Sequence, residues 1–269
     1  MRKKPFKQKA FSLFFRKMIL TSKNNPLIKE TASLKEKKGR KEHALFLVEG
    51  VKMARECLTS RFEVERIFLC DTYAGDKTFL SGYEDKIVTV SEDVMRFLSD
   101  EKTPQGVLCR VKIPQMPLQA PKASCIFLDG VSDPGNVGAI IRTANAAGYQ
   151  EIYLTKECAE AYAPKCVRAS MSGLFFTKLY VGTRVEILSI LDQTPIVVAD
   201  MHGENVFSFT PPTTFALAIG NEANGISKET FDAAQAVIKI PMESTQESLN
   251  AAVSAGILMY ALKKDVFQQ

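Results

Sequence analysis

The sequence predicts an α/β protein, on three observations. Five continuous apolar runs after residue 124 ("CIFLD", "EIYLT", "PIVVAD", "TFALAIG" and "AVIKIP") alternate with helical stretches, the pattern of a parallel sheet covered on both faces. An earlier region also alternates strand and helix. Between them, "IPQMPLQAPKAS" (Ile113–Ser124) carries three prolines and little periodicity, which marks a domain joint.

In the first region, Asn25–Pro26 predicts a turn and a basic helix to about Lys38. "ALFLVEG" predicts a strand ending at Gly50, and "VKMARECL" a helix. "VERIFL" and "KIVTV" read as further strands, "SEDVMRFLS" as a helix capped by Ser91, and "GVLCRVKIP" as the closing strand. In the second region, helices are expected at roughly 137–147, 164–172, 184–191, 228–235 and 247–263. The expected division is a basic extension over 1–17, an N-terminal domain over 18–112, a linker over 113–124 and a larger domain over 125–269.

The 269 residues suffice for two ordinary domains, and 46% hydrophobic with 24% charged is ordinary for a globular chain. No apolar run reaches the length of a membrane-spanning helix, so no transmembrane helix and no membrane partner are expected, and the cytoplasmic expectation rests on the cysteines. "AFSLFF" is too short for a secretory signal core and runs into Arg16 and Lys17, and 1–17 is expected to be a dispensable extension or an artefact of start-site choice. The six cysteines form no CxxC pair, which fits reduced core thiols. With only His43 and His202, a histidine-based metal site is not expected.

Residues 1–50 hold 14 Lys/Arg against four Asp/Glu, whereas the remainder is net acidic. A basic block suits a polyanion such as RNA, and the competing reading is a solvated helix face. Lys35, Lys37, Lys38, Arg40 and Lys41 are the candidate phosphate contacts.

Ligands of parallel sheets bind at the loops after strand C-termini. Three such loops carry unusual residues. In "DGVSDPGNVGAIIRTANAAG", the spacing of Gly130, Gly135 and Gly138 fits neither a dinucleotide nor a P-loop motif. Asn136 stands at a helix start. Val137, Ile140, Ile141 and Ala144 form an apolar face, and Arg142 lies opposite among Gly138, Ala139, Asn145 and Ala146. That bare surface lets another backbone come close. In "FALAIGNEANGIS", Asn221 and Glu222 sit between Gly220 and Gly225, and Ser227 can cap the next helix. In "IKIPMESTQESLNAAVSAGILMYAL", Ser248, Leu249 and Asn250 open a helix rich in small residues.

Together the three loops resemble the motifs of the SpoU/TrmH family of RNA ribose 2′-O-methyltransferases, within the SPOUT superfamily. The first motif is similar to Asn136 through Arg142 with "RTANAAG", the second to "IGNEANGIS", the third to "IPM" at 240–242 followed by "ESLN" at 247–250. Ala251 departs from the valine more usual there, a change of packing volume more than of chemistry. The N-terminal stretch from Asn24 to Leu58 resembles the family's substrate-binding domain, itself similar to an RNA-binding ribosomal protein.

The resemblance implies a C-terminal SPOUT-type domain with a trefoil knot, a rare exception to unknotted connections, beside a smaller RNA-binding domain. It implies S-adenosylmethionine as cofactor, with Gly220, Ile240 and Leu249 lining its pocket and Leu217, Asn221 and Met242 as neighbours. It implies a homodimer whose active site lies at the subunit interface, where Arg142 would meet partner and RNA. Asn136, Glu222, Ser248 and Asn250 would orient the ribose hydroxyl, Arg142 and the cofactor, with Glu222 alternatively a structural cap or a partner of Asn136. Arg142 would be either a general base or, more defensibly given its pKa above about 12, a phosphate clamp. The implied substrate is RNA, with large-subunit ribosomal RNA favoured. The alternatives are a tRNA methyltransferase of the same family and a catalytically silent ribosome-assembly factor.

Overall fold

A computed structural model describes residues 18–243 and 248–263. The expectations for 1–17, and for Glu247 as part of the third motif, lie outside the described residues. The chain divides into two compact units, the first ending at Pro114 and the second beginning at Gln115.

The first unit contains α1 (Pro26–Ser33), α2 (Lys37–His43), β1 (Leu45–Glu49), α3 (Val51–Thr59), β2 (Val64–Cys70), β3 (Ile87–Val90), α4 (Glu92–Leu98) and β4 (Val107–Lys112). Its sheet runs β1-β4-β2-β3, parallel only between β2 and β3. Asn25 caps α1 by accepting from Leu27 N at 2.9 Å, with Pro26 fixing the first turn. Ile28 and Leu34 pack against Leu47, Phe68 and Leu98 in the core.

The single basic helix expected up to Lys38 is in fact two. A side chain at Gly39 would lie 2.2 Å from the Ser33 carbonyl oxygen, so α2 crosses the end of α1 at backbone contact. Arg40, only 5% exposed, donates to the Leu34 and Lys35 carbonyls at 3.0 and 2.7 Å. It thereby satisfies carbonyls that the end of α1 leaves open.

The second unit contains β5 (Cys125–Asp129), α5 (Pro134–Ala146), β6 (Glu151–Thr155), α6 (Pro164–Ser170), α7 (Gly173–Phe176), β7 (Lys178–Gly182), α8 (Arg184–Ile190), β8 (Ile196–Asn205), β9 (Ala216–Gly220), α9 (Lys228–Asp232), β10 (Ala236–Lys239) and α10 (Ala251–Ala261). Its six-stranded sheet runs β10-β8-β9-β5-β6-β7 and is parallel throughout.

Three features differ from the sequence reading. Strand β7 was not expected. It is an edge strand whose "KLYVG" alternates a half-buried lysine and an exposed valine with buried residues, so it lacks a continuous apolar run. The helix expected over 164–172 breaks at Met171, which takes a left-handed φ of 48°. Strand β8 carries a wide bulge. Val198 pairs with Val237, the next pair is Glu204 with Ile238, and residues 199–203 loop out between them.

Asp129, at the end of β5 and 2% exposed, ties the strand tips together. It accepts from Arg184 Nε at 2.8 Å and from Ser227 N and Oγ at 2.9 and 2.6 Å. Burial would raise its carboxyl, but the bonds from Ser227 and Arg184 hold it below the usual range.

Candidate active site

A cavity of about 470 Å³ opens at the irregular middle of β8, the C-terminal ends of β9 and β10 and the start of α10. That volume lies within the range of about 300–1,000 Å³ for small-molecule clefts. Gly220, Asn221, Ile240, Met242 and Leu249 all line it, as does Ser248. Glycine shapes the wall twice. A side chain at Gly220 would meet Gly225 backbone at 2.3 Å, so the two strands of the 220–225 turn close on each other. Gly225, at φ +69°, has open space where a side chain would project.

Leu217 is the exception among the expected cofactor neighbours. It is fully buried within β9, between Ile126 and Val197, and does not reach the cavity. A strand covered on both faces hides this difference in its sequence. Asn221 contributes differently from the others. Its Nδ2 donates to the Gly130 carbonyl at 2.8 Å and its Oδ1 accepts from Ala223 N and Asn224 N, so its side chain pins the second loop to the first.

Beside the cavity, all three loops meet in one chain of hydrogen bonds. Asn250 caps α10, its Oδ1 accepting from Ala252 N and Val253 N at 2.9 and 3.2 Å. Its Nδ2 donates to Asn136 Oδ1 at 2.9 Å, and Asn136 Nδ2 donates to Glu222 Oε1 at 2.9 Å. Both ends of the chain are fixed: backbone N–H groups only donate and an ionised carboxylate only accepts. The orientation of both amides follows. Among the described residues each Asn has one further amide hydrogen without a partner, Asn250 being exposed and Asn136 half-buried.

Glu222 also accepts from Ser132 N and Oγ at 3.0 and 2.9 Å and from Asp133 N at 3.2 Å. Partial burial would raise its carboxyl, but the bonds from Asn136, Ser132 and Asp133 outweigh it and hold the pKa down at about 2. Glu222 is therefore a poor proton acceptor near neutrality and an effective anchor for Asn136. Asp133 completes the support. It caps α5 by accepting from Asn136 N at 2.9 Å and pairs with Lys165 at 2.7 Å.

Arg142 is exposed on α5 and makes no hydrogen bond or ion pair among the described residues; it does not line the cavity. The bare surface around it is used first by its own chain. A side chain at Gly138 would meet the Cys166 carbonyl at 2.5 Å, and one at Gly173 the Arg142 Cα at 2.9 Å, so α6 and α7 lie at backbone contact with α5. Ala146 stays exposed, with Ala139 and Asn145 half-buried.

The five basic candidates separate. Lys37, Lys38 and Lys41 are exposed. Arg40 is buried as described, and Lys35 Nζ donates to the Phe97 carbonyl at 2.8 Å beside the Phe97 ring. These two cations are engaged in bonds that hold the first unit together.

The sequence reading missed Ala199, Asp200 and Met201, which line the cavity from the β8 bulge. Asp200 Oδ1 accepts from His202 N at 2.9 Å and contacts its ring Nδ1 at 3.0 Å, whereas Oδ2 has no partner among the described residues. The only local signal is Gly203, where a side chain would meet Ile238 N at 2.5 Å.

The sequence profile described as the SpoU rRNA Methylase family matches residues 123–260, and that of the MRM3-like substrate binding domain matches residues 25–109. The chain is 28% identical over 250 residues to the 23S rRNA (guanosine(2553)-2′-O)-methyltransferase RlmP of Bacillus subtilis, covering 91% of this chain and 98% of that one. A crystal structure of an AdoMet-bound rRNA methyltransferase from Sinorhizobium meliloti superposes with a TM-score of 0.84 at 25% identity, covering 93% and 98% of the two chains. The SpoU methyltransferase AviRb from Streptomyces viridochromogenes, in complex with AdoMet, superposes at 0.80 with 26% identity, covering 90% and 98%.

Proposed function

The chain belongs to the SpoU rRNA methylase family, and from that premise we propose that it methylates a ribose 2′-hydroxyl of large-subunit ribosomal RNA, using S-adenosylmethionine. The observation that carries this reading is the cavity bounded by Gly220, Ile240 and Leu249, directly beside the Asn250–Asn136–Glu222 chain. The residues fit the cofactor. The volume suits a nucleoside-sized ligand, the wall is largely apolar side chains and glycine backbone, and Asp200 presents a carboxylate oxygen without a partner among the described residues. When bound, S-adenosylmethionine supplies a methyl group already activated by its sulfonium.

The protein's own contribution is alignment and electrostatics. Gly220, Ile240 and Leu249 hold the donor with Met242 beside them. The spare amide hydrogens of Asn136 and Asn250 receive the ribose oxygen and steady the charge that develops as its proton leaves. Glu222, pinned as a carboxylate, keeps both amides in register. Ser248, on the cavity wall, orients the donor. Arg142 clamps the adjacent RNA phosphate, a role that suits a guanidinium better than proton abstraction.

The protein acts as a knotted, cytoplasmic homodimer in this reading. Helix α10 reads "AAVSAGILMYA", apolar on nearly every side, yet Val253 and Tyr260 are exposed. A helix of that composition calls for a covering surface. A second subunit there accounts for it and brings Arg142 into use. Among the described residues, no helix is long and apolar enough to cross a membrane.

The test is a map of ribose methylation across ribosomal RNA from cells lacking the gene. One large-subunit site should be lost, restored by the wild-type gene and not by an Arg142→Ala copy. An unchanged map overturns the reading, and a lost tRNA site redirects it.

A further inference from the structure

The first unit holds a second cavity, of about 210 Å³, between the end of β2, the first turns of α4 and the turn before β4. It is smaller than the clefts of about 300 Å³ or more that take whole cofactors, and it is the size of one ring system. Its wall mixes polar and apolar groups, and its polar ones are held in place. Gln105 Oε1 accepts from Val51 N at 3.0 Å, the first N–H of α3. A backbone N–H only donates, so this bond fixes which way the amide points. Both hydrogens on Gln105 Nε2 are left without a partner among the described residues.

Gly50, at φ +95°, takes a backbone conformation that side chains rarely adopt as the chain turns into α3 beside that contact. Tyr73 is anchored by its hydroxyl, which donates to the Asp76 carbonyl at 3.1 Å, and its ring lies against Gly106. Thr72 contributes a hydroxyl that shares a hydrogen bond with Cys70 Sγ at 3.1 Å, and Arg96 a guanidinium paired with Glu92 at 2.6 Å. The wall thus combines an aromatic ring, a guanidinium plane, an amide of fixed orientation and a hydroxyl. Proteins that read single-stranded RNA use these groups on bases splayed out of a stack.

We propose that this cavity receives one nucleobase of the RNA substrate, its ring beside Tyr73 and its polar edge on Gln105 Nε2 and Thr72 Oγ1. The proposal rests on the reading of the protein as an RNA methyltransferase and adds a base-reading site remote in sequence from the methyl-transfer residues. It also separates two kinds of RNA contact in the first unit. Lys37, Lys38 and Lys41 meet phosphates and carry no sequence information, whereas the cavity reads a base.

The experiment measures binding of the full-length protein to large-subunit rRNA extracted from cells lacking the gene, between 50 and 200 mM salt, on the order of the range where phosphate contacts dominate the dependence. Two cavity variants are compared with wild type, with Lys38→Ala as the phosphate-contact control. Gln105→Glu keeps an oxygen for Val51 N and removes the spare donor. Thr72→Val is neutral, nearly isosteric and at an exposed position. Both should weaken binding about tenfold, as loss of a base-edge contact does. Thr72→Val should leave the salt slope at the wild-type value, whereas Lys38→Ala should reduce it by about one unit.

Chemical probing should show one unpaired base protected by the wild-type protein and exposed with Gln105→Glu. Calorimetric binding of S-adenosylmethionine should be the same for all three proteins. Wild-type affinity in both variants, or a loss of affinity that appears only as a changed salt slope, overturns the proposal. A wild-type protein that binds neither this RNA nor S-adenosylmethionine defeats the methyltransferase reading instead.

Discussion

Asn136 Nδ2 donates to Glu222 Oε1 at 2.9 Å, joining loops that lie 86 residues apart in sequence. The bond explains why a carboxylate stands in the second loop. It is an anchor for an amide, held ionised by hydrogen-bond donors from the first loop.

The pH dependence of stability follows. The folded pKa of Glu222, about 2, is below the ordinary value near 4.3. A depressed carboxylate contributes stability that is present above the unfolded value and lost as pH falls toward the folded one. Glu222→Gln places an amide where Asn136, Ser132 and Asp133 all donate. Its melting temperature should fall below wild type at pH 7, and the gap should narrow as pH drops below about 4. A gap independent of pH between 3 and 7 would count against the anchor.

Asn250→Asp separates capping from alignment. Aspartate caps a helix start as well as asparagine does, so thermal stability should stay close to wild type. The donor to Asn136 Oδ1 is gone, and two acceptors face each other. Methyl transfer should fall about 100-fold or more, the scale of losing an oriented polar group in a reacting site. Near-wild-type turnover would show that the amide chain is structural only.

Asp200→Asn tests the unexpected cavity residue. An amide keeps the shape and removes the charge, and a hydrogen bond to a charged group is worth about 1.5–3 kcal/mol. S-adenosylmethionine affinity should drop by about tenfold in calorimetry, with RNA affinity unchanged. Equal donor affinity would place the Asp200 carboxylate outside the binding geometry.

The basic run of the first unit should split in function. Arg40→Ala leaves the Leu34 and Lys35 carbonyls unsatisfied and should lower stability by about 1–3 kcal/mol. Lys38→Ala should leave the melting temperature unchanged and weaken RNA binding, more at low salt than at high. Comparable melting temperatures for both variants would show that Arg40 is not the strut described.

The pattern of residues made much of this legible. Continuous apolar runs announced β5, β6, β8, β9 and β10 because a parallel sheet buries both faces of its strands. The same property concealed that Leu217 points into the core rather than the cavity. Strand β7 escaped notice because an edge strand needs no continuous apolar run. Lys35 and Arg40 look like their solvated neighbours in sequence. Only the crossing of α1 and α2 at Gly39 turns them inward. Asn136, Glu222 and Asn250 were recognisable as chemistry-bearing, but their bonding to one another depends on three strand tips meeting. Asp200 was hidden by a bulge with no turn signature except Gly203.

The most direct test of the central claim is a crystal structure of the full-length protein with S-adenosylmethionine. The donor should lie between Gly220, Ile240 and Leu249, its methyl directed toward Asn136 and Asn250. A donor bound elsewhere, or a methyl facing away from that amide pair, would contradict the account.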